Sequence, residues 1–247
     1  MTQRPLRLFA LLCTLLCALP MPLRAANADA ETRQLLEWSG ALALLTQAQP
    51  LAAQLLAHEQ TAGARVPAAR QRELLRRFEA ATLQQALVTE IAAQLPEATR
   101  RAALAALQQP LPKRVRFFER ALTQPNSARE WQRWRETGQE VTAARQALLR
   151  AIDTAARDSR LTAQLQTAVE SSLRAALGVA PIEPVAEALA ERERHLQPLT
   201  EQYLQYAYRY LRDDELRQYE QQLRQPALQQ LFDHIEKGLT AIISGAR

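Results

Sequence analysis

The chain has 247 residues, 47% of them hydrophobic and only 5% aromatic, with 31 Lys and Arg against 26 Asp and Glu. Six glycines among abundant Ala, Leu, Gln, Arg and Glu make a helix-forming composition, and a mixed-sign surface whose excess of +5 falls to +2 once residues 1–28 are removed gives no large field to draw in nucleic acid or anionic lipid. Both cysteines, Cys13 and Cys17, lie in the first segment; a chain that loses it has no disulfide, thiolate metal site or cysteine nucleophile.

That first segment is laid out as a secretory signal peptide. Arg4 and Arg7 precede an apolar run over 8–19, followed by Pro20, Pro22 and a small-residue stretch. The run is shorter than the about 20 residues that span a bilayer. Ala26 and Ala28 put small residues at both recognised positions, so cleavage is expected after Ala28, with Ala25 or Ala26 as the alternative. Neither cysteine follows Gly, Ala or Ser, so no lipoprotein signal is read. Loss of 1–28 removes three Arg and no acid, lowering the net charge from +5 to +2. The expected product is a periplasmic or secreted protein with no transmembrane segment. Its two helical halves are 29–137 and 138–247, packed as one domain or as two.

In the mature chain Leu35, Leu36, Trp38, Leu42 and Leu45 form one apolar helical stripe that Pro50 is expected to end, with a second helix over 51–59. His58 and Glu59 adjoin there, but no second His comes after them at helical spacing, so this is a solvated helix end rather than a zinc-protease motif. After Gly63, Pro67 is placed to open one long helix to Gln94, with Leu74, Leu75, Phe78, Leu83, Leu87, Val88 and Ile91 inward. Arg70, Arg72, Arg76 and Arg77 on its other side are balanced by acids and read as a solvated face. Pro96, Pro110 and Pro112 punctuate the next stretch, with Val115, Phe118 and Leu122 inward.

Pro125, Asn126 and Ser127 form a turn with a helix cap ahead of 129–136, where two Trp interleave with three Arg. Trp131 and Trp134 share a face, which suits packing under Arg stems, stacking on a ligand or resting at a lipid headgroup layer. Gly138 ends that helix, a further one spans 141–157, and Leu161, Leu165, Val169, Leu173 and Leu177 make a stripe closed by Gly178. Pro181 and Pro184 fix a rigid joint, the alternating charges of 191–195 read as a wet face, and Pro198 opens the last stretch. There Tyr203, Tyr206 and Tyr210 keep three- and four-residue steps with Leu199 and Ala207 close by, a half-buried aromatic stripe or a ligand groove, while Tyr208 points elsewhere. Asp213, Asp214 and Glu215 suit a helix N-terminus, and Pro226 opens a final helix that buries Leu228, Leu231, Ile235, Leu239 and Ile242.

Residues 95–110 and 211–226 have equal length, open on Leu and close on Leu-x-Gln-Pro. The same offset of 116 puts Leu83 on Leu199, Leu87 on Tyr203 and Val88 on Leu204, and a one-residue slip after Pro110 puts 118–122 on 235–239. The expected fold is therefore an all-α multi-helix bundle of two diverged helical repeats, in which 83–122 and 199–239 take the same path and leave a seam between halves. Tyr203 and Tyr219 stand where the first half has Leu87 and Ala103, so recognition is expected to draw on the tyrosine-rich half.

Residues 206–230, YAYRYLRDDELRQYEQQLRQPALQQ, resemble a family of exported bacterial proteins that goes by a domain of unknown function. Its members have Tyr or Phe, then Thr-x-x-Glu-Leu, then Phe-Tyr-x-Ser-Pro-x-Gly. Glu215, Leu216 and Pro226 match, whereas Gln222 and Leu223 replace Phe-Tyr, Gln225 replaces Ser and Leu228 replaces Gly. The resemblance implies an exported, all-helical fold and carries no catalytic residues to transfer.

A search for chemistry finds no nucleophile elbow, phosphate loop or dinucleotide fingerprint, and it implies no cofactor and no metal. His58, His195 and His234 lie far apart, and Asp233 and His234 diverge as helix neighbours. The leading reading is an envelope binding or scaffolding protein for a protein or lipid partner, with Tyr203, Tyr206, Tyr210, Trp131 and Trp134 as the candidate surface. The alternatives are a lipid-binding protein acting through Trp131 and Trp134, and an enzyme whose closed polar pocket joins His234 or His195 to carboxylates.

Overall fold

The computed structural model describes residues 21–61, 66–122, 127–137, 141–179 and 186–245. These form helices α1 (Met21–Ser39), α2 (Ala41–Leu45), α3 (Ala48–Thr61), α4 (Ala68–Arg76), α5 (Ala80–Gln94), α6 (Glu97–Leu107) and α7 (Pro110–Leu122). They continue as α8 (Ser127–Glu136), α9 (Ala143–Ala156), α10 (Asp158–Ala176), α11 (Ala186–Ala207), α12 (Asp213–Leu223) and α13 (Pro226–Gly245). No strand occurs among the described residues, so the protein is an all-α multi-helix bundle. None of the described helices is long and apolar enough to cross a membrane. The apolar run 8–19 and the breaks at Gly63, Pro125, Asn126, Gly138, Pro181 and Pro184 lie outside the described residues.

Three boundaries differ from the sequence reading. Gly40, at φ 89, ends the first helix, and Pro50 sits in the first turn of α3, where its missing N–H has no intrahelical acceptor to leave unmet. The long helix expected from Pro67 is broken at 77–79. There the amides of Arg77, Phe78 and Glu79 bond carbonyls three residues back, and Glu79 turns extended, a kink that buries Phe78. Pro198, read as opening the last stretch after a separate helix, instead lies inside α11, which packs on α9 and α10 and runs through the lost hydrogen bond.

One apolar cluster extends from Leu35 to Ile243 and takes residues from both halves. α1 packs on α5 and α6, and α9 packs on α11 and α12. Between halves, α13 lies on α5 and α6, α7 lies on α11 and α12, and α3 meets α10. α7 of the first half and α13, the last helix of the second, thus each lie against the other half, and α13 also packs on α10 of its own. α6 and α12 begin and end 116 positions apart, and Pro110 and Pro226 each open the next helix. Gly40 after α1 and Arg157 after α9 are both left-handed, at φ 89 and φ 61.

Candidate functional site

The seam where α7 meets α11 and α12 holds a cluster of polar groups drawn from several helices. On α7, Arg116 and Glu119 stand one turn apart, and Arg116 Nη1 donates to Glu119 Oε2 at 2.8 Å. The other carboxylate oxygen, Oε1, accepts from the hydroxyl of Tyr208 at 2.6 Å. Tyr208 lies just past the end of α11, is 1% exposed, and meets the ring of Tyr219 edge to face at 6.1 Å. Arg116 Nε is buried without a partner. Asp158, first residue of α10, faces the same groups: desolvation, then the charges of Glu119 and Asp153, hold its carboxyl well above the usual range against Arg116. Desolvation chiefly, with Glu119 next, also pushes the hydroxyls of Tyr203, Tyr208 and Tyr219 up. Asp153, raised by desolvation, accepts from the amide and hydroxyl of Ser159 at 2.8 and 2.7 Å.

Beside this cluster runs an unbroken series of ring contacts. Phe117 meets Phe118 at 6.0 Å between centroids, and Phe118 meets Tyr210 at 6.1 Å. The guanidinium of Arg209 lies 4.5 Å from the centre of the Tyr210 ring and 4.0 Å from that of Tyr206. Tyr206 in turn contacts Trp131 at 5.2 Å and Trp134 at 5.3 Å, and the two indoles stack at 5.5 Å. Six of the thirteen aromatic residues are joined here, from α7, α8 and the end of α11.

Four of the five residues singled out from the sequence, Trp131, Trp134, Tyr206 and Tyr210, therefore meet in one series. Tyr203 instead stands at the edge of the polar cluster, 38% exposed. The tyrosines do not form one helix face, because α11 ends at Ala207 and Tyr210 lies in the turn beyond it, 68% exposed. Tyr206 is buried beneath the indoles and Arg209. Tyr208, set aside by the sequence reading, is the most deeply buried tyrosine and the one that touches Glu119. Arg116 and Glu119 went unnoticed, although their i, i+3 spacing on a helix otherwise carrying Val115, Phe118 and Leu122 inward was a visible signal.

Arg145 sets the turn that carries Tyr208 and Tyr210. From α9 it pairs with Asp213, and its Nη2 donates to the carbonyls of Tyr208 at 2.8 Å and Leu211 at 2.9 Å. Glu215 accepts from the Arg212 amide at 2.9 Å and pairs with Arg114 of α7, so the start of α12 is also fastened to the other half.

A polar cleft of about 520 Å³ in the second half is lined by Asp153, Arg157, Arg160, Glu193, Asp233 and Glu236 among others, and neither His195 nor His234 lines it. Four of its charges engage one another: Arg157 pairs with Asp233 at 2.6 Å and Glu236 at 3.1 Å, and Arg160 with Glu236 at 2.6 Å. His234 Nδ1 sits 2.8 Å from the carbonyl of Gln230 on its own helix. No group of three or more His, Cys, Asp or Glu suited to a metal occurs among the described residues. No protein-family model, curated protein or solved structure matches the chain.

Proposed function

We propose that this is an exported binding protein of the bacterial envelope, built from two diverged copies of one helical unit, which captures a partner at the seam between α7 and α11. One observation carries the reading. The large hydrophobic side chains left exposed among the described residues are Phe117 at 69%, Tyr210 at 68%, Leu199 at 57%, Tyr203 at 38% and Val179 at 37%; Phe117, Tyr210 and Tyr203 belong to this seam, and Leu199 lies one helical turn before Tyr203 on α11. Gathered exposed apolar groups mark interaction sites, whereas scattered ones need no explanation. The shared bounds of α6 and α12 and the reciprocal crossing of α7 and α13 support the two-copy reading. The resemblance of 206–230 and the layout of 1–28 support export.

The test places a photo-crosslinking phenylalanine analogue at Phe117, at Tyr210 and at exposed Arg72 on α4 in cells that export the protein. The first two positions should yield a shared product that Arg72 does not. Identical products from all three would remove the seam as a capture surface. Terminal sequencing of the exported chain should start near Asp29, and a chain still starting at Met1 tells against export.

A lipid partner is the second reading, favoured by the exposed side of α7, where Lys113, Arg114 and Arg120 surround Phe117. It shifts the lipid contact from Trp131 and Trp134, which are partly covered by Tyr206, to Phe117. Flotation with anionic vesicles that is lost in Phe117→Ser distinguishes it.

A further inference from the structure

We infer that the polar cleft lined by α11 and α13 binds a short free peptide, its terminal ammonium at Glu193 and its terminal carboxylate at Lys237. The site stands apart from the seam at α7 and rests on neither the two-copy reading nor the exposed aromatic groups.

The cleft follows from the packing of the second half. α11 and α13 each lie along α10, and the space of about 520 Å³ takes its lining from both, together with the end of α9, the start of α10 and Arg224 just past α12. That volume is ordinary for a small-molecule site, where about 300–1,000 Å³ is usual, but the lining is not. Of its twelve residues only Ala155 is apolar, and four acids stand among four bases. An acyl chain or an apolar helix seated there would strip water from charges and return nothing. A ligand that is polar along its length and carries both signs of charge suits the cleft instead.

The protein's own pairs decide which charges are left for that ligand. Arg157, Arg160, Asp233 and Glu236 engage one another, and Arg160 sends both Nε, at 2.9 Å, and Nη2, at 2.6 Å, to Glu236. Arg224 pairs with Glu220, outside the lining, and Asp153 accepts from the amide and hydroxyl of Ser159. Glu193 and Lys237 remain. Among the described residues neither makes a side-chain hydrogen bond or ion pair, and they come from different helices, Glu193 half-buried on α11 and Lys237 exposed on α13. Desolvation, opposed by the charge of Arg160 and reinforced by those of Asp153 and Glu236, holds the Glu193 carboxyl above its usual range. A ligand ammonium beside it supplies the cation that the fold withholds.

Two amides serve the middle of the ligand. Gln197 lies one turn after Glu193 on the same face of α11 and has no side-chain hydrogen bond among the described residues. Gln229 donates from Nε2 to the carbonyls of Ala155 and Leu223, at 2.8 Å each, which fixes its amide and leaves Oε1 to accept. One free amide and one anchored acceptor match the N–H and C=O groups of a peptide backbone. The ligand is thus a zwitterion with amides between its charges, the chemistry of a short peptide with both ends free.

The experiment titrates the exported protein with triglycine by calorimetry, beside N-acetyl-triglycine, which lacks the ammonium, and triglycinamide, which lacks the carboxylate. Triglycine should bind saturably, and each blocked peptide at least about tenfold more weakly. Glu193→Gln should weaken triglycine by a similar factor and abolish its advantage over N-acetyl-triglycine while keeping that over triglycinamide, and Lys237→Gln should do the reverse. Lys113→Gln, exposed on α7, should change nothing, and far-UV circular dichroism checks the fold of all three variants. Triglycine that does not bind, or that binds no better than both blocked forms, overturns the inference. N-acetyl-triglycine binding as tightly as triglycine makes the cleft a site for a protein's C-terminal carboxylate, triglycinamide doing so makes it one for an N-terminal ammonium, and either result also overturns it. So do variants that weaken all three peptides alike, since they leave neither residue matched to an end of the ligand.

Discussion

The hydroxyl of Tyr208 donates to Oε1 of Glu119 at 2.6 Å, so a side chain just past α11 holds the only acid on α7. The bond is charge-assisted, partly buried, and bridges the two halves. Tyr208→Phe keeps the ring in the core and leaves Glu119 with Arg116 as its remaining partner. The variant should unfold about 1.5–3 kcal/mol more easily in urea, the usual worth of a hydrogen bond to a charged group. A loss below about 0.5 kcal/mol would show that Glu119 is satisfied by Arg116 and water.

Asp158 gives the seam a pH dependence of definite sign. Its folded-state carboxyl is raised well above the ordinary value, through desolvation first and the charges of Glu119 and Asp153 next. The folded state therefore holds a proton that the unfolded chain gives up. Its contribution is fully present below the ordinary carboxylate pKa and declines as pH rises toward the folded value. Asp158→Asn cannot ionise, so the difference between variant and wild type in urea-unfolding free energy should grow in the variant's favour from pH 4 toward neutrality. Arg116 faces the same group and opposes the shift; Glu193, raised by desolvation, titrates in the background of both proteins and cancels in the difference, whereas Asp153, whose charge acts on Asp158, does not cancel and adds to the same trend. A difference that stays flat with pH would mean that Asp158 is solvated.

Arg145→Lys tests whether the turn after α11 is held by shape or by charge alone. The guanidinium serves Asp213 and the carbonyls of Tyr208 and Leu211 together, and an ammonium cannot span that fork. Lysine should cost about 1–2 kcal/mol and raise amide exchange across 208–212, with Asp213 still neutralised. Unchanged exchange there would assign the turn's order to the apolar packing of Leu211 instead.

The apolar steps of 3 and 4 marked nearly every helix, since Leu and Ala cores leave few other ways to bury these chains. The breaks were harder to read. A tyrosine stripe counted across 203–210 assumes a helix that continues past Ala207, which the turn tied by Arg145 prevents. Between the adjacent Phe117 and Phe118, periodicity chose the inward ring correctly but could not show that the other would be left 69% exposed. Buried charge was also invisible: Arg100, 5% exposed, donates to Glu31 at 2.9 Å, and nothing in a Leu- and Ala-rich helix sequence sets that arginine apart from solvated ones such as Arg101.

Gly40 is where backbone and seam chemistry meet. Its φ of 89 lies in the region L side chains resist, and a Cβ there would stand 3.1 Å from Arg116 Nη1, the atom that donates to Glu119. Gly40→Ala thus adds strain at the corner between α1 and α2 and presses the guanidinium off its carboxylate. A loss of about 1–3 kcal/mol in denaturant unfolding is expected. The two causes separate in a cycle with Arg116→Met: if crowding contributes, Gly40→Ala costs less in the Met background, whereas equal costs in both backgrounds assign the whole effect to φ. Arg157, left-handed at φ 61 in the corner after α9, differs in that its side chain pairs with Asp233 and Glu236. Arg157→Gly would relax the backbone while removing both pairs, so its net change should stay within about 1 kcal/mol, well short of the loss at Gly40.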